Sequence, residues 1–240
     1  MSKSSSFFQI AIDGPVAAGK GTVSRLLAEK LNFLYVDTGA MYRAAALLAL
    51  QNQLSFDQED KIVSLIADSE LEMRNPEGEK EADGRLTTLI LNGKDVSWEI
   101  RTTQCSDGAS KVATLVKVRQ ILVEKQKQIA ETKNVVMEGR DITFKVLPEA
   151  DLKIFLTADL EIRAKRRHLQ YLTKGIDKKL EEVIAEVQER DERDMNRQID
   201  PLHPTPDSWI LDSSQLSIEE VVDLIAEKVQ IMIKNKSENS

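Results

Sequence analysis

Five short runs rich in apolar and β-branched residues punctuate the chain: FFQIAID (7–13), FLYVDT (33–38), NVVMEG (134–139), LKIFLTA (152–158) and SWILDS (208–213). Segments of helical periodicity separate them, and this alternation predicts an α/β fold in which helices cover a five-stranded parallel sheet. Between the first two runs, Val23, Leu26, Leu27 and Leu31 recur at helical spacing, so a helix is expected directly after the glycine-rich stretch 14–22. Residues 69–103 break the pattern. They are rich in turn formers, and Asn92-Gly93 flanked by strand-like residues is a hairpin signal, which predicts a small antiparallel insert. Ser217 and Glu220 form a capping box at the start of an amphipathic C-terminal helix, and the tail KNKSENS is expected to fray.

Composition narrows the classes. With 240 residues and 41% hydrophobic content, the chain can build one large domain or a core carrying an inserted smaller one. Its 33 basic and 40 acidic residues give a net charge of −7, which offers no global basic footprint for nucleic acid or a membrane surface. Any anion site must be local. The single cysteine, Cys105, rules out an internal disulfide and reads as a small buried residue in a reducing compartment. The opening MSKSSSFFQIAID lacks the apolar region of a signal peptide, and no apolar run approaches the ~20 residues of a membrane span. A cytoplasmic protein is the expectation.

The local anion site is the stretch Gly14-Pro15-Val16-Ala17-Ala18-Gly19-Lys20-Gly21-Thr22. Gly21 interrupts the usual G-x-x-x-x-G-K-[ST] spacing, but the physics survives. Gly14 and Gly19 let the backbone curl so that N–H groups face inward, the following helix adds its dipole, and Lys20 supplies a point charge. Thr22 still offers a hydroxyl to Mg²⁺. Nucleotide phosphates are the expected ligand. A GTPase would carry N-K-x-D; the nearest string, NGKD at 92–95, has the wrong order and falls in the insert. A motor or transport ATPase would show a long apolar strand ending in paired acids, which is not evident. A small kinase with a separate acceptor site remains.

Three clusters suit an anionic acceptor. At the end of the second strand, Thr38 and then Arg43 face the carboxyl-terminal edge where sheets of this kind bind ligands. The third strand ends in Glu138-Gly139-Arg140-Asp141. In ERDERDMNR, helical spacing places Arg190, Arg193, Asp194 and Arg197 on one face. Upstream, residues 161–179 hold seven Lys/Arg against two Asp/Glu and read as a mobile basic lid, with Arg163 a candidate ATP contact and Arg167 a candidate catalytic arginine. Phosphoryl transfer needs positioning and charge neutralisation more than covalent chemistry, and a closing lid keeps water out.

Taken in order, IDGPVAAGKGT, VDTGAMYRAAAL, NGKDVSWEIRT, ASKVATLVKVRQ, EGRDI, LKIFLTA with RAKRR, and ERDERDMNR followed by PL resemble the bacterial cytidylate kinases over nearly the whole chain. The resemblance implies a P-loop kinase with its core in 1–37, 132–160 and 198–240, an acceptor region at 38–131 holding the β insert, and a helical lid with its adjoining helix at 161–197. It implies ATP, CMP and dCMP as substrates, Mg²⁺ accompanying ATP, and a monomer without nucleic-acid or membrane partners. By motif position Ser110, Arg119 and Asp141 would contact cytosine, and Thr38, Arg43 and Arg140 the acceptor phosphate. Arg190, Asp194 and Arg197 would meet its sugar and phosphate. Lys20, Arg140, Arg167 and Arg190 would serve the transfer itself. Two alternatives remain open: a kinase for another small acceptor, and a nucleotide-dependent binding protein without turnover.

Geometry adds a constraint. Nine residues separate Ser110 from Arg119, about 900° on one straight helix, which is half a turn out of phase. A break near ATLVK is therefore expected, with Thr114 a candidate cap for the second helix. Three departures stand out from the family's usual strings: Glu138 and then Ile142-Thr143-Phe144 where many members read DGRD followed by Gly-Thr, Thr38 where serine is common, and Ala18 at a usual glycine position. Trp98 and His203 are expected to serve packing.

Overall fold

The structure is a computed structural model that describes residues 7–173 and 175–238; the opening MSKSSS, Lys174 and the last two residues of the tail lie outside the described residues. In chain order the elements are β1 (Gln9–Asp13), α1 (Lys20–Leu31), β2 (Leu34–Asp37), α2 (Thr38–Gln51), α3 (Glu59–Ala67), β3 (Leu71–Arg74), β4 (Thr88–Leu91) and β5 (Lys94–Asp95). They continue with α4 (Thr103–Val112), α5 (Val116–Thr132), β6 (Val135–Glu138), β7 (Leu152–Thr157), α6 (Leu160–Thr173), α7 (Leu180–Asn196), β8 (Trp209–Asp212) and α8 (Ile218–Glu238). The five expected strands form one parallel sheet in the order β2-β6-β1-β7-β8. β3, β4 and β5 form a separate antiparallel sheet. At the β4–β5 turn Asn92 and Gly93 take φ of 51° and 77°, the paired positive values of the hairpin turn that the dipeptide predicts. Among the described residues no helix is long and apolar enough to cross a membrane.

The chain divides into two compact units. The first holds Phe33–Met137 with the segment ending at Phe8. In it α2 buries an alanine-rich surface, and α4 packs against it. Gly108 permits that approach, because a Cβ there would lie 2.5 Å from the Phe56 ring and 2.8 Å from Ala46 Cβ. α4 and α5 are distinct helices broken at 113–115, as the Ser110–Arg119 phase argument requires. Thr114 is not the cap, however. Its hydroxyl donates back to the Lys111 carbonyl at 2.7 Å, and the N-cap of α5 is Leu115, which has no side-chain acceptor. A hydroxyl one position earlier than the N-cap satisfies the helix it leaves rather than the one it precedes.

The second unit holds Gln9–Asn32 and Glu138–Ser240. β1 is buried at all five positions and pairs in parallel with β7, Ile10 beside Leu152 through Asp13 beside Phe155. β7 pairs in turn with β8, Ile154 beside Trp209 through Thr157 beside Asp212. The Ser217–Glu220 box is reciprocal: Ser217 N–H donates to Glu220 Oε2 at 2.7 Å, and Glu220 N–H to Ser217 Oγ at 3.1 Å. The tail expected to fray continues α8 through Glu238.

Candidate active site

In the second unit the chain leaves β1 beside β7 so closely that a Cβ on Gly14 would lie 2.0 Å from the Leu156 carbonyl oxygen, and Gly14 has φ 151°. No side chain fits there. The loop then curls until Lys20 Nζ donates to the carbonyls of Gly14 and Pro15, both at 2.8 Å. Gly19 enters α1 with φ 95°, gives no side-chain cap, and the first turn, which carries Gly21 and Thr22, contains no acidic residue. The N–H groups that begin every helix are thus left for a ligand, and an anion suits them. Ala18 is not the strained position. The left-handed residue is Ala17, φ 59°, whereas Ala18 is buried and its carbonyl accepts from Arg166 Nη1 at 3.4 Å.

Two buried side chains fix the loop from behind. Val16 N–H donates to Asp191 Oδ1 at 3.1 Å, and Arg163 Nη1 donates to the Val16 carbonyl at 3.1 Å. The same guanidinium pairs with Asp191 Oδ2 and, through Nε, donates to the Ala158 carbonyl at 2.8 Å. These bonds make Arg163 a residue that holds Val16. Asp191 was not singled out by spacing rules for charged clusters, yet a signal existed: with Val183 and Val187 it completes the buried i, i+4, i+8 stripe of α7. A carboxylate on an apolar stripe implies a buried partner.

Charge accumulates at the end of β6. Arg140 Nε donates to Asp194 Oδ2 at 2.8 Å and Nη1 to the Gly139 carbonyl at 3.0 Å. Burial opposes the charge on Arg140, but Asp194, Glu138 and Asp13 outweigh it and hold the guanidinium above its ordinary range. Arg190 is pushed down by burial and then by Arg140, with Asp194 only partly compensating. Asp194 is pressed upward by burial, yet Arg140, Arg190 and Arg197 hold it below the usual carboxylate range. Lys20 falls to about 7, first by burial and then by Arg140, against Glu138, Asp13 and Asp194. For Lys20 and Arg190 the nearby carboxylates do not make up for burial and the Arg140 charge. Arg197 Nη2 stands 3.6 Å from Asp141 Oδ2.

One face of α7 does not carry all four charged residues of its last turns. α7 ends at Asn196, so Arg197 lies beyond it with extended backbone, and Arg193 is exposed, paired with Glu189. Helix termination reassigns the i+7 position, and only Arg190 and Asp194 stay on the helix near Arg140. Arg167 stands at the periphery: its guanidinium lies 4.6 Å from the Tyr171 ring centroid and donates to Tyr171 Oη and Gln170 Oε1, while its charge is still felt at Arg190.

In the first unit Asp37 caps α2, Oδ1 accepting from Ala40 N–H at 3.1 Å, and Oδ2 accepts from Arg43 Nη2 at 2.6 Å. Thr38, buried, opens the helix. Arg101, which the charge clusters did not single out, ends a 3₁₀ turn packed on α2; burial and the Arg43 charge lower its pKa while Asp37 opposes them. Trp98 is half-exposed instead of packed, its Nε1–H donating to Asp83 and its ring beneath Arg101 at 5.5 Å. Ser110 Oγ donates to the Ser106 carbonyl at 3.4 Å. Arg119 is buried, and Nη1 reaches the Ala113 carbonyl at 3.4 Å, the C-terminal end of α4.

The cytidylate kinase family model matches residues 10–231, which takes in every residue just described. The chain belongs to the cytidylate kinase family. Curated relatives agree along their length. A cytidylate kinase of Carboxydothermus hydrogenoformans is 47% identical over 220 residues, 91% of this chain and 96% of its own. Those of Caldicellulosiruptor bescii and Lactobacillus gasseri are 43% and 41% identical over 227 residues, 95% of this chain and 97% and 96% of theirs. Among solved structures, shikimate kinases from Bacteroides thetaiotaomicron and Acinetobacter baumannii match at a TM-score of 0.44, with 14% and 15% identity and coverage of 93% and 97% of this chain and 98% and 96% of theirs. As a member of the cytidylate kinase family, the chain is a nucleoside monophosphate kinase.

Proposed function

We propose that this chain transfers the γ-phosphoryl group of ATP to the 5′-phosphate of CMP and dCMP, giving CDP and dCDP in pyrimidine nucleotide metabolism. The observation that carries the reading is the crowding of Lys20, Arg140 and Arg190 around Asp194. Burial and the neighbouring Arg140 charge disfavour the Lys20 and Arg190 cations until an anion arrives, so polyphosphate binding relieves what the free protein bears.

The loop N–H groups and Lys20 hold the ATP phosphates, and Arg163 acts through Val16 and Asp191. The Thr22 hydroxyl in the first turn of α1 suits a hard cation and would help to hold the Mg²⁺ that accompanies ATP, which would supply neutralisation of charge on the transferring phosphoryl group. Arg140, Arg190 and Arg167 stabilise that group's transition state, where one arginine is worth roughly 10³–10⁵ in rate. The acceptor phosphate is already an adequate nucleophile, so no general base is assigned. Thr38, Arg43 and Arg140 hold it, Arg190, Asp194 and Arg197 meet sugar and phosphate, and Ser110, Arg119 and Asp141 read cytosine. Asp141 accepts from the N4 amino group; uracil would present a carbonyl to the same carboxylate, and two acceptors repel. The enzyme works as a cytoplasmic monomer without nucleic acid or membrane.

The test is ADP release from Mg²⁺ATP with CMP, dCMP, UMP or AMP as sole acceptor. Turnover is expected with CMP and dCMP. ATP binding without ADP formation from any acceptor would instead indicate a nucleotide-dependent binding protein.

A further inference from the structure

The Ile142-Thr143-Phe144 departure is an anchored turn in the second unit. Ile142–Val146 forms a single π turn that starts directly after Asp141. Its first two N–H groups donate to Asp13, Ile142 to Oδ1 at 3.0 Å and Thr143 to Oδ2 at 2.8 Å, and the Thr143 hydroxyl adds a third bond at 2.7 Å. Burial raises the Asp13 pKa even though these donors oppose it. Asp13 is therefore spent on fixing the turn.

The next residue, Phe144, stacks on His203 with ring centroids 4.4 Å apart and planes inclined by 28°. His203 Nδ1 lies 2.7 Å from the Pro201 carbonyl, which fixes the ring. The segment carrying His203 is tied to the acceptor-side residues at two points and to the π turn at a third. Leu202 N–H donates to the Asp194 carbonyl at 2.9 Å, Arg197 Nε donates to the Asp200 carbonyl at 2.6 Å, and Lys145 stands 3.6 Å from Asp200 Oδ1. Arg197 in turn faces Asp141 at 3.6 Å. A closed circuit results: Asp141, the π turn, Phe144, His203, Asp200, Arg197 and back to Asp141. His203 is exposed and Phe144 only half-buried, so the stack is no part of the core.

We propose that the Phe144–His203 stack positions Arg197 against Asp141 and thereby sets how strongly this chain prefers cytosine to uracil nucleotides. Phe144 and His203 touch no substrate; they are positioning residues. The inference rests on the proposal that Asp141 and Arg197 contact the acceptor.

The experiment compares wild type with Phe144→Val, His203→Ala, the double variant, His203→Phe, which keeps a stacked ring, and Asp141→Ala. Steady-state kinetics with CMP, UMP and ATP are read beside Tm. An aromatic pair of this kind predicts a rise in CMP KM of roughly two- to tenfold in each single variant. ATP KM and kcat stay within about twofold, the double variant is no worse than either single, the CMP:UMP ratio of kcat/KM falls, and His203→Phe restores both CMP KM and that ratio. If Asp141→Ala lowers that ratio while Phe144→Val and His203→Ala leave it and CMP KM unchanged, the positioning role is overturned and the Asp141 reading stands. If Asp141→Ala leaves the ratio unchanged, the underlying reading falls and takes the inference with it. Equal losses for ATP and CMP together with a lower Tm overturn it in favour of a merely structural stack.

Discussion

Removing the Asp191 carboxylate separates what holds the phosphate loop from what folds the protein. In Asp191→Ala, Val16 N–H loses its acceptor, and Arg163 is left with the Ala158 and Val16 carbonyls but no counter-charge. The two side chains are only 9% and 12% exposed, so solvent cannot take the carboxylate's place. Breaking a buried pair by deleting one member costs about 3–5 kcal/mol. For a protein of this size that lowers Tm by roughly 6–20 °C. The double variant Arg163→Met/Asp191→Leu removes both charges, and its stability is expected to return to within about 2 kcal/mol of wild type. Val16 would still lack both tethers, so ATP KM should remain about tenfold high, the equivalent of one lost buried hydrogen bond. Thermal unfolding followed by circular dichroism gives the first quantity, and a coupled ADP assay with ATP varied at saturating CMP gives the second. An unchanged Tm in Asp191→Ala, or recovery of ATP KM together with stability in the double variant, would refute the reasoning.

Two more outcomes follow from the loop. Lys20, lowered to about 7 in the free protein, is about nine-tenths neutral at pH 8; a bound polyphosphate restores its charge, so ATP binding takes up close to one proton there and affinity through this group strengthens as pH falls towards 7. Isothermal titration in buffers of different ionisation enthalpy measures that uptake, and equal uptake in Lys20→Met would contradict it. Ala17→Gly, which relieves a left-handed alanine, should raise stability by about 1 kcal/mol while Ala18→Gly lowers it or leaves it alone; chemical denaturation distinguishes them, and the reverse order would show the strain assigned to the wrong residue.

Features written in consecutive residues were legible in the sequence. The five strands, the Asn92-Gly93 turn and the Ser217 box each depend on local backbone preference, and each is present, whereas the α4–α5 break follows from the phase between Ser110 and Arg119. Features that depend on distant partners were not. Arg163 and Asp191 lie 28 residues apart and meet at Val16, so charge counting along 161–179 could not tell the arginine that sits behind the loop from its neighbours. Arg197 fell out of register because α7 ends one residue before it, and nothing local announces that end. Phe144 and His203, Arg101 and Arg43, and the left-handed turn at Ala17 are likewise set by tertiary packing. The family resemblance carried the acceptor assignments, and Arg101 lay inside one of its strings, EIRT, without a role.

The central claim is that Asp141 reads the amino edge of cytosine. The ratio of kcat/KM for CMP to that for UMP, measured at saturating Mg²⁺ATP, tests it most directly. A lost hydrogen bond to a charged acceptor, with repulsion in its place, predicts at least about a tenfold preference for CMP. UMP phosphorylated as efficiently as CMP would contradict the account.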